Sequence, residues 1–264
     1  KGLNMHSNDV EAIGRSPLNR SVLRGAEILR AFKPGSDLLG NGELSERTGL
    51  SPSTVSRLTQ TLVVAGLLQL DREERAYRLA PLVLSLAHAM RSGSLVLAVA
   101  APHMRALAEK ERVNVGLACA DREEMVYLES IRYNRRVALR NVVSGQRVPM
   151  ELTSLGRAYL ATASDRHRLA LEKTFKQRNG AHWPALKLAI DEAIDSVEKH
   201  GYCAASWQPE VVAVSTPVLS PDGVFALNIS VSTQDDPKQV TRQLAPKLMG
   251  LKKIINRDIA RLHA

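Results

Sequence analysis

Apolar residues recur at three- and four-residue spacing at Val55, Leu58, Leu62 and Ala65. This period predicts an amphipathic helix whose opposite face carries Ser53, Thr54, Ser56, Arg57, Gln60 and Thr61. Ser51 stands at the N-cap position, where its hydroxyl can accept a first-turn N–H, and Pro52 follows at the first helical position, where no donor is missed. Upstream, residues 21–32 place Val22, Ala26 and Leu29 on one helical face and stop before Pro34. A shorter helix, about residues 42–48, runs into Gly49, which can take the left-handed conformation of a C-cap. Downstream, residues 67–70 and 76–79 are strand-like runs around the charged turn Asp71-Arg72-Glu73-Glu74-Arg75, which predicts a hairpin.

Helix, helix, capped helix and hairpin in that order make a winged helix-turn-helix. The outward side chains of the third helix are short and hydrogen-bonding, so they can enter a major groove. Arg57 can reach guanine or phosphate, and Ser51, its neighbouring hydroxyls and the helix N-terminus can bind phosphate. Arg72, Arg75 and Arg78 on the hairpin would touch the backbone beside the groove. Taken singly, each of these residues also fits a solvated surface; their order along the chain favours double-stranded DNA as a partner.

The pattern then changes. Leu82, Val83, Leu86, Ala89 and Met90 form an apolar helical stripe, followed by the Ser-Gly-Ser break at residues 92–94 and a second helix through Leu107. Val113, Val115, Leu117 and Cys119 alternate, and residues 125–131 and 137–143 complete three predicted strands. Helices are expected over 154–163, 165–177 and 185–200. A hairpin over 211–219 and 224–232 turns at Ser220-Pro221-Asp222-Gly223, and a last helix covers 237–262. The fold class expected is α+β, with a tail at 1–19, a DNA-binding domain at 20–80, a linker at 81–101 and an antiparallel sheet with helices at 102–264. Thr153 can cap the helix that begins at Ser154, whose N-terminus suits a carboxylate. Ser230 and Ser232 are two apart on one strand, so their hydroxyls share a face.

At 264 residues, 44% of them hydrophobic, the chain can fill two cores. The formal charge of +9 favours a polyanionic partner, but residues 1–80 hold 11 Lys plus Arg against 9 Asp plus Glu, so charge alone does not locate the DNA site. Cys119 and Cys203 form no CxxC pair and have no histidine at ligand spacing, so free thiols in a reducing cytoplasm are expected and no metal is. The most apolar stretch, residues 81–102, is broken by His88 and Arg91 and does not read as a membrane span; no secretory signal is visible. Catalytic patterns are missing: no Gly-x-Ser-x-Gly, no His-Glu-x-x-His and no dinucleotide fingerprint. The glycines at 35 and 40 lack a following lysine and hydroxyl, and Ser196 and Lys199 match Ser-x-x-Lys on a polar helix face. Neither an enzyme nor a cofactor is expected.

From about Arg20 onward the chain resembles the IclR family of bacterial transcription regulators. The residues that carry the likeness are Glu43-Leu44-Ser45-Glu46-Arg47-Thr48-Gly49-Leu50, Ser53-Thr54-Val55-Ser56-Arg57-Leu58, Tyr77-Arg78-Leu79, and the stretches 149–161 and 217–232. The resemblance implies a GAF-like second domain that binds a small-molecule effector, with Val137, Ser154, Leu155, Val211, Ala213, Ser230 and Ser232 at effector positions. It also implies a homodimer or dimer of dimers on a pseudo-palindromic operator, a small organic acid as effector, and a cytoplasmic protein. This sequence departs from the family at Glu151, where histidine is common, at Leu155, where a smaller residue is usual, and in the wing, where Glu73-Glu74-Arg75 and Ala80 replace glycines. The alternative reading is a constitutive DNA-binding or architectural protein whose second domain only oligomerises.

Overall fold

The computed structural model describes residues 18–133 and 143–263, which divide into two compact units with the boundary after Gly93. The expected strand over 137–143, apart from Val143, and most of the expected N-terminal tail lie outside the described residues.

In the first unit, α1 (Arg20–Arg30) starts where the Asn19 side chain accepts from the Ser21 and Val22 amides at 3.0 and 3.2 Å. Its buried residues are Gly25 and Ile28, whereas Val22 and Ala26 are exposed, so the helix is rotated from the expected face. Gly25 faces Leu62, whose Cδ2 would lie 4.0 Å from a β-carbon there, and Leu29 of the expected face still packs against the core. α2 (Asn41–Thr48) ends at Gly49 with φ of 68°, and the Ser45 hydroxyl donates to the Leu50 carbonyl at 2.6 Å, fixing the turn into the next helix. α3 (Pro52–Val64) buries Val55, Thr59 and Leu62. Thr59 was not expected inside; its hydroxyl is satisfied by the Val55 and Ser56 carbonyls at 3.0 and 3.1 Å. Ala65, expected in the apolar stripe, is the exposed C-cap instead.

Three strands, in the order β1-β3-β2, form the wing sheet: β1 (Leu39–Gly40), β2 (Leu68–Asp71) and β3 (Ala76–Leu79). β1 is two residues long, too short for alternation to reveal it. One core joins Ile28, Phe32, Leu39, Leu44, Val55, Leu62, Leu68 and Tyr77. α4 (Pro81–Ser92) follows, and none of its residues is buried.

The second unit opens with α5 (Leu95–Glu111) and is built on a six-stranded antiparallel sheet in the order β6-β5-β4-β9-β8-β7. Its strands are β4 (Asn114–Asp121), β5 (Glu124–Ile131), β6 (Arg147–Pro149), β7 (Cys203–Ala205), β8 (Val211–Ser220) and β9 (Gly223–Ser232). Alternation sends Val212, Val214, Phe225, Leu227 and Ile229 to one face, where α5 and α9 (Pro237–His263) cover them. The other face meets α6 (Ser154–Leu160), α7 (Asp165–Asn179) and α8 (Trp183–His200), with Met125, Tyr127, Met150, Leu155 and Phe175 in its core. α6 stops at Leu160, three residues before the expected end. β6 and β7, three residues each, were not predicted.

Candidate functional site

On the first unit, the Ser51 hydroxyl accepts from the Thr54 amide at 3.4 Å and lies 2.9 and 3.3 Å from the Thr54 and Ser53 hydroxyls. The first turn of α3 is therefore a knot of hydroxyls at a positive helix end. Ser53, Arg57, Gln60 and Thr61 are exposed, with Ser56 and Thr54 half-buried beside them. Thr61 returns its hydroxyl to the Arg57 carbonyl at 3.0 Å, which leaves its methyl group outermost. Among the described residues the side chains of Arg57, Gln60, Arg72 and Arg75 are spent on no protein partner. Arg78 differs from expectation: it is paired with Asp71 across the wing strands, so its charge is already partly neutralised. The amides of Glu74 and Glu73, together with Arg78, hold the Asp71 carboxyl below its usual range. Arg75 has φ of 51°, at a wing position that favours glycine.

On the second unit, strand register brings together four of the expected effector residues. Ala213 stands opposite Ser230 and Val211 opposite Ser232, all on the face that α6 covers. Ser230 is buried, Ala213 and Val211 are half-buried and Ser232 is exposed, so this face opens toward the end of β9. The residues at the start of α6 are used differently. Thr153 accepts from the Gly156 amide at 3.3 Å and donates to the Pro149 carbonyl at 2.9 Å. The Ser154 hydroxyl meets that of Ser215 at 2.7 Å, and Leu155 is buried in the core. These three have protein partners and hold α6 against the sheet. The buried Cys203 thiol donates to the Ser154 carbonyl at 3.4 Å, and burial pushes its pKa up to about 12, so it stays protonated and inert. Val137 lies outside the described residues. Among those described, no group of histidine, cysteine and carboxylate side chains is arranged to hold a metal ion.

Sequence reasoning missed the centre of this face. Gly116 on β4 stands opposite Asn228 on β9, and a β-carbon on Gly116 would lie 2.5 Å from both Asn228 Oδ1 and Tyr127 Cε1. The glycine is thus the floor of a cradle in which an amide and a phenol converge. The available signals were a glycine inside a strand pattern, which marks close approach, and a polar Asn228 in phase with Ser230 and Ser232. Glu151 is also buried, with Oε1 accepting from Arg178 Nη1 at 3.2 Å and Asn179 Nδ2 at 3.3 Å.

Comparison with known proteins bears on both units. The profile of the IclR helix-turn-helix domain matches residues 21–72, and that of the bacterial transcriptional regulator IclR C-terminal domain matches residues 88–260. The chain belongs to the IclR family. Among its IclR relatives, the HTH-type transcriptional regulator TsaQ1/TsaQ2 of Comamonas testosteroni is 34% identical over 70% of this chain and 66% of its own length. An IclR family transcriptional regulator from Brucella abortus has a solved structure that is 31% identical, covers 95% of this chain and 96% of its own, and superposes with a TM-score of 0.83. An IclR homologue from Microbacterium hydrocarbonoxydans, solved in complex with 4-hydroxybenzoate, shares the fold at a TM-score of 0.69 and 23% identity, covering 91% of this chain and 99% of its own. As an IclR protein the chain is a transcription regulator and not an enzyme, and its first unit is the DNA-binding helix-turn-helix domain. No single helix among the described residues is long and apolar enough to cross a membrane.

Proposed function

We propose that the chain is a homo-oligomeric, ligand-responsive regulator that binds a pseudo-palindromic operator and senses a small organic acid through its second unit. The observation that carries this reading is the line of polar groups, Asn228, Ser230 and Ser232, along the α6 face of the sheet. Ser230 and Ser232 would contact the effector with Val211 and Ala213, while Thr153, Ser154 and Leu155 form the wall behind it. The homologue crystallised with 4-hydroxybenzoate supports a carboxylate as the ligand class.

In the first unit, Ser53, Thr54, Ser56, Arg57, Gln60 and Thr61 would face base edges and phosphates, with Ser51 at the helix end and Arg72 and Arg75 on the flanking backbone. The exposed apolar stripe of α4 supports pairing with a second copy, which would present two recognition helices to adjacent half-sites. An effector acts by binding one arrangement of that oligomer better than the other, and the readout is the spacing of the helices. Such a regulator works in the cytoplasm, where the bacterial chromosome lies.

A thermal-shift screen of the full chain against small aliphatic and aromatic acids tests the sensing role, because a ligand of the folded state raises Tm. A saturable rise for one acid is expected; no rise with any acid would favour a domain that only oligomerises. On an operator selected from random duplexes, Arg57→Ala should cost about 1–3 kcal/mol of affinity, and an unchanged affinity would remove Arg57 from the groove.

A further inference from the structure

Tyr127, Gly116, Asn228 and Ser230 share the α6 face, and one more residue lies beside it, just past the end of β5. β5 carries a bulge opposite Leu117 and Ala118, after which Ser130 pairs with Gly116 and Ile131 with Val115. Ile131, the last residue of β5, packs into the core on the α5 and α9 side, and Arg132 follows just past the strand end, near enough to Tyr127 for the two groups to interact. Arg132 is half-buried, and its Nε is shielded from solvent without a hydrogen-bond partner. Among the described residues no carboxylate lies within ion-pair distance of it. Burial pushes its guanidinium down from the ordinary arginine range, and the group that offsets this is the Tyr127 hydroxyl. Tyr127 in turn interacts with the Asn228 side chain, whose Oδ1 is also buried and unpaired, in a residue only 5% exposed.

A buried donor and a buried acceptor without partners each carry a desolvation cost that a folded protein seldom retains without use. Here both interact with the same tyrosine. The unneutralised cation suits a carboxylate, which matches guanidinium geometry by paired hydrogen bonds. The Asn228 oxygen needs a donor, and a hydroxyl supplies one without adding charge to a buried site. We propose that Arg132 anchors the effector's carboxylate and that Asn228 reads a hydroxyl on the same molecule, so that the sensed class is a small hydroxy acid. This rests on the acid-sensing reading above and assigns it two residues that the family resemblance did not supply.

The test titrates the full chain by calorimetry with 4-hydroxybenzoate and lactate, their counterparts without the hydroxyl (benzoate, propionate) and their amides (4-hydroxybenzamide, lactamide). At least one hydroxy acid should bind more tightly than both analogues. Arg132→Gln should weaken that acid on the order of 10- to 100-fold, with partial recovery in Arg132→Lys, and Asn228→Ala should abolish the preference for the hydroxylated ligand. An acid that binds Arg132→Gln as tightly as the parent overturns the anchor while leaving acid sensing intact. An acid bound without preference for its hydroxyl overturns the role of Asn228. If none of the six binds the parent, the acid-sensing reading fails first, and ligand-free stability still decides for Arg132. A cation kept for a ligand should be replaceable, so Arg132→Met should leave Tm unchanged or raise it; a fall of several degrees assigns the guanidinium to the fold and overturns the proposal.

Discussion

A β-carbon on Gly156 would lie 2.0 Å from the Met150 carbonyl oxygen and 2.4 Å from Met150 Cα, so α6 touches the preceding loop through backbone alone. The obstruction is main chain and cannot rotate away. Gly156→Ala should therefore destabilise the protein by on the order of 3 kcal/mol, read as a lowered urea midpoint. Gly42, with nothing within 4 Å of its missing β-carbon, serves as the control. Its change to alanine should be neutral or stabilising by up to about 1 kcal/mol. An equal loss at both sites would mean that the close approach of α6 does not govern stability. Gly116 has a different use: the atoms its β-carbon would meet are side chains, those of Asn228 and Tyr127, so it makes room for an amide and a phenol where Gly156 makes room for a helix.

Among the elements, the wing shows most clearly how a local rule is broken and compensated. Arg75 occupies a left-handed backbone position that costs a side-chain-bearing residue about 1–2 kcal/mol. Asp71 offsets part of this by accepting the Glu73 and Glu74 amides, each at 3.1 Å, and by pairing with Arg78. Arg75→Gly should leave stability unchanged or raise it by about 0.5–1 kcal/mol, whereas a β-branched Arg75→Val should lower it, both measured by thermal unfolding. If Arg75 also contacts phosphate, the glycine variant will lose DNA affinity and its salt slope will shrink by about one. A stability gain with full affinity would assign Arg75 to the turn alone. The start of α6 teaches the converse: Thr153 caps the helix as the sequence suggests, accepting from the Gly156 amide, but Ser154, at an effector position by resemblance, has its hydroxyl taken up by Ser215. Periodicity and capping say that a hydroxyl is present at a helix start; they do not say what it faces.

At the scale of the whole molecule, α4 carries an exposed apolar stripe. Leu82, Leu86 and Met90 recur along one side and are 43%, 54% and 55% exposed, and no residue of the helix is buried. A stripe of this kind in a folded protein calls for a partner surface. The Leu82→Lys, Leu86→Lys double variant should sediment with roughly half the parent's mass, or unfold at a lower temperature that depends on concentration. A parent-sized particle would place the subunit contact elsewhere. The +9 net charge acts at this scale too, drawing the protein to polyanions without specifying where they bind.

Sequence by itself determined whatever depends on neighbours along the chain: the Ser51-Pro52 start and outer face of α3, the Gly49 stop, the charged hairpin and the paired serines of β9. These follow from capping, periodicity and alternation, which are local rules, and together with the motif likeness they identified the family. Tertiary structure decided what depends on distant partners. It turned the buried side of α1 to Gly25 and Ile28, buried Thr59, tied Arg78 to Asp71, and gave Thr153, Ser154 and Leu155 partners within the protein. It also gathered Gly116, Tyr127 and Asn228, which three strands contribute, onto one face of the sheet and brought Arg132 close to Tyr127. Unpaired donors and acceptors exist only once burial removes water, and no spacing along a chain states which polar atoms the fold will leave without a partner.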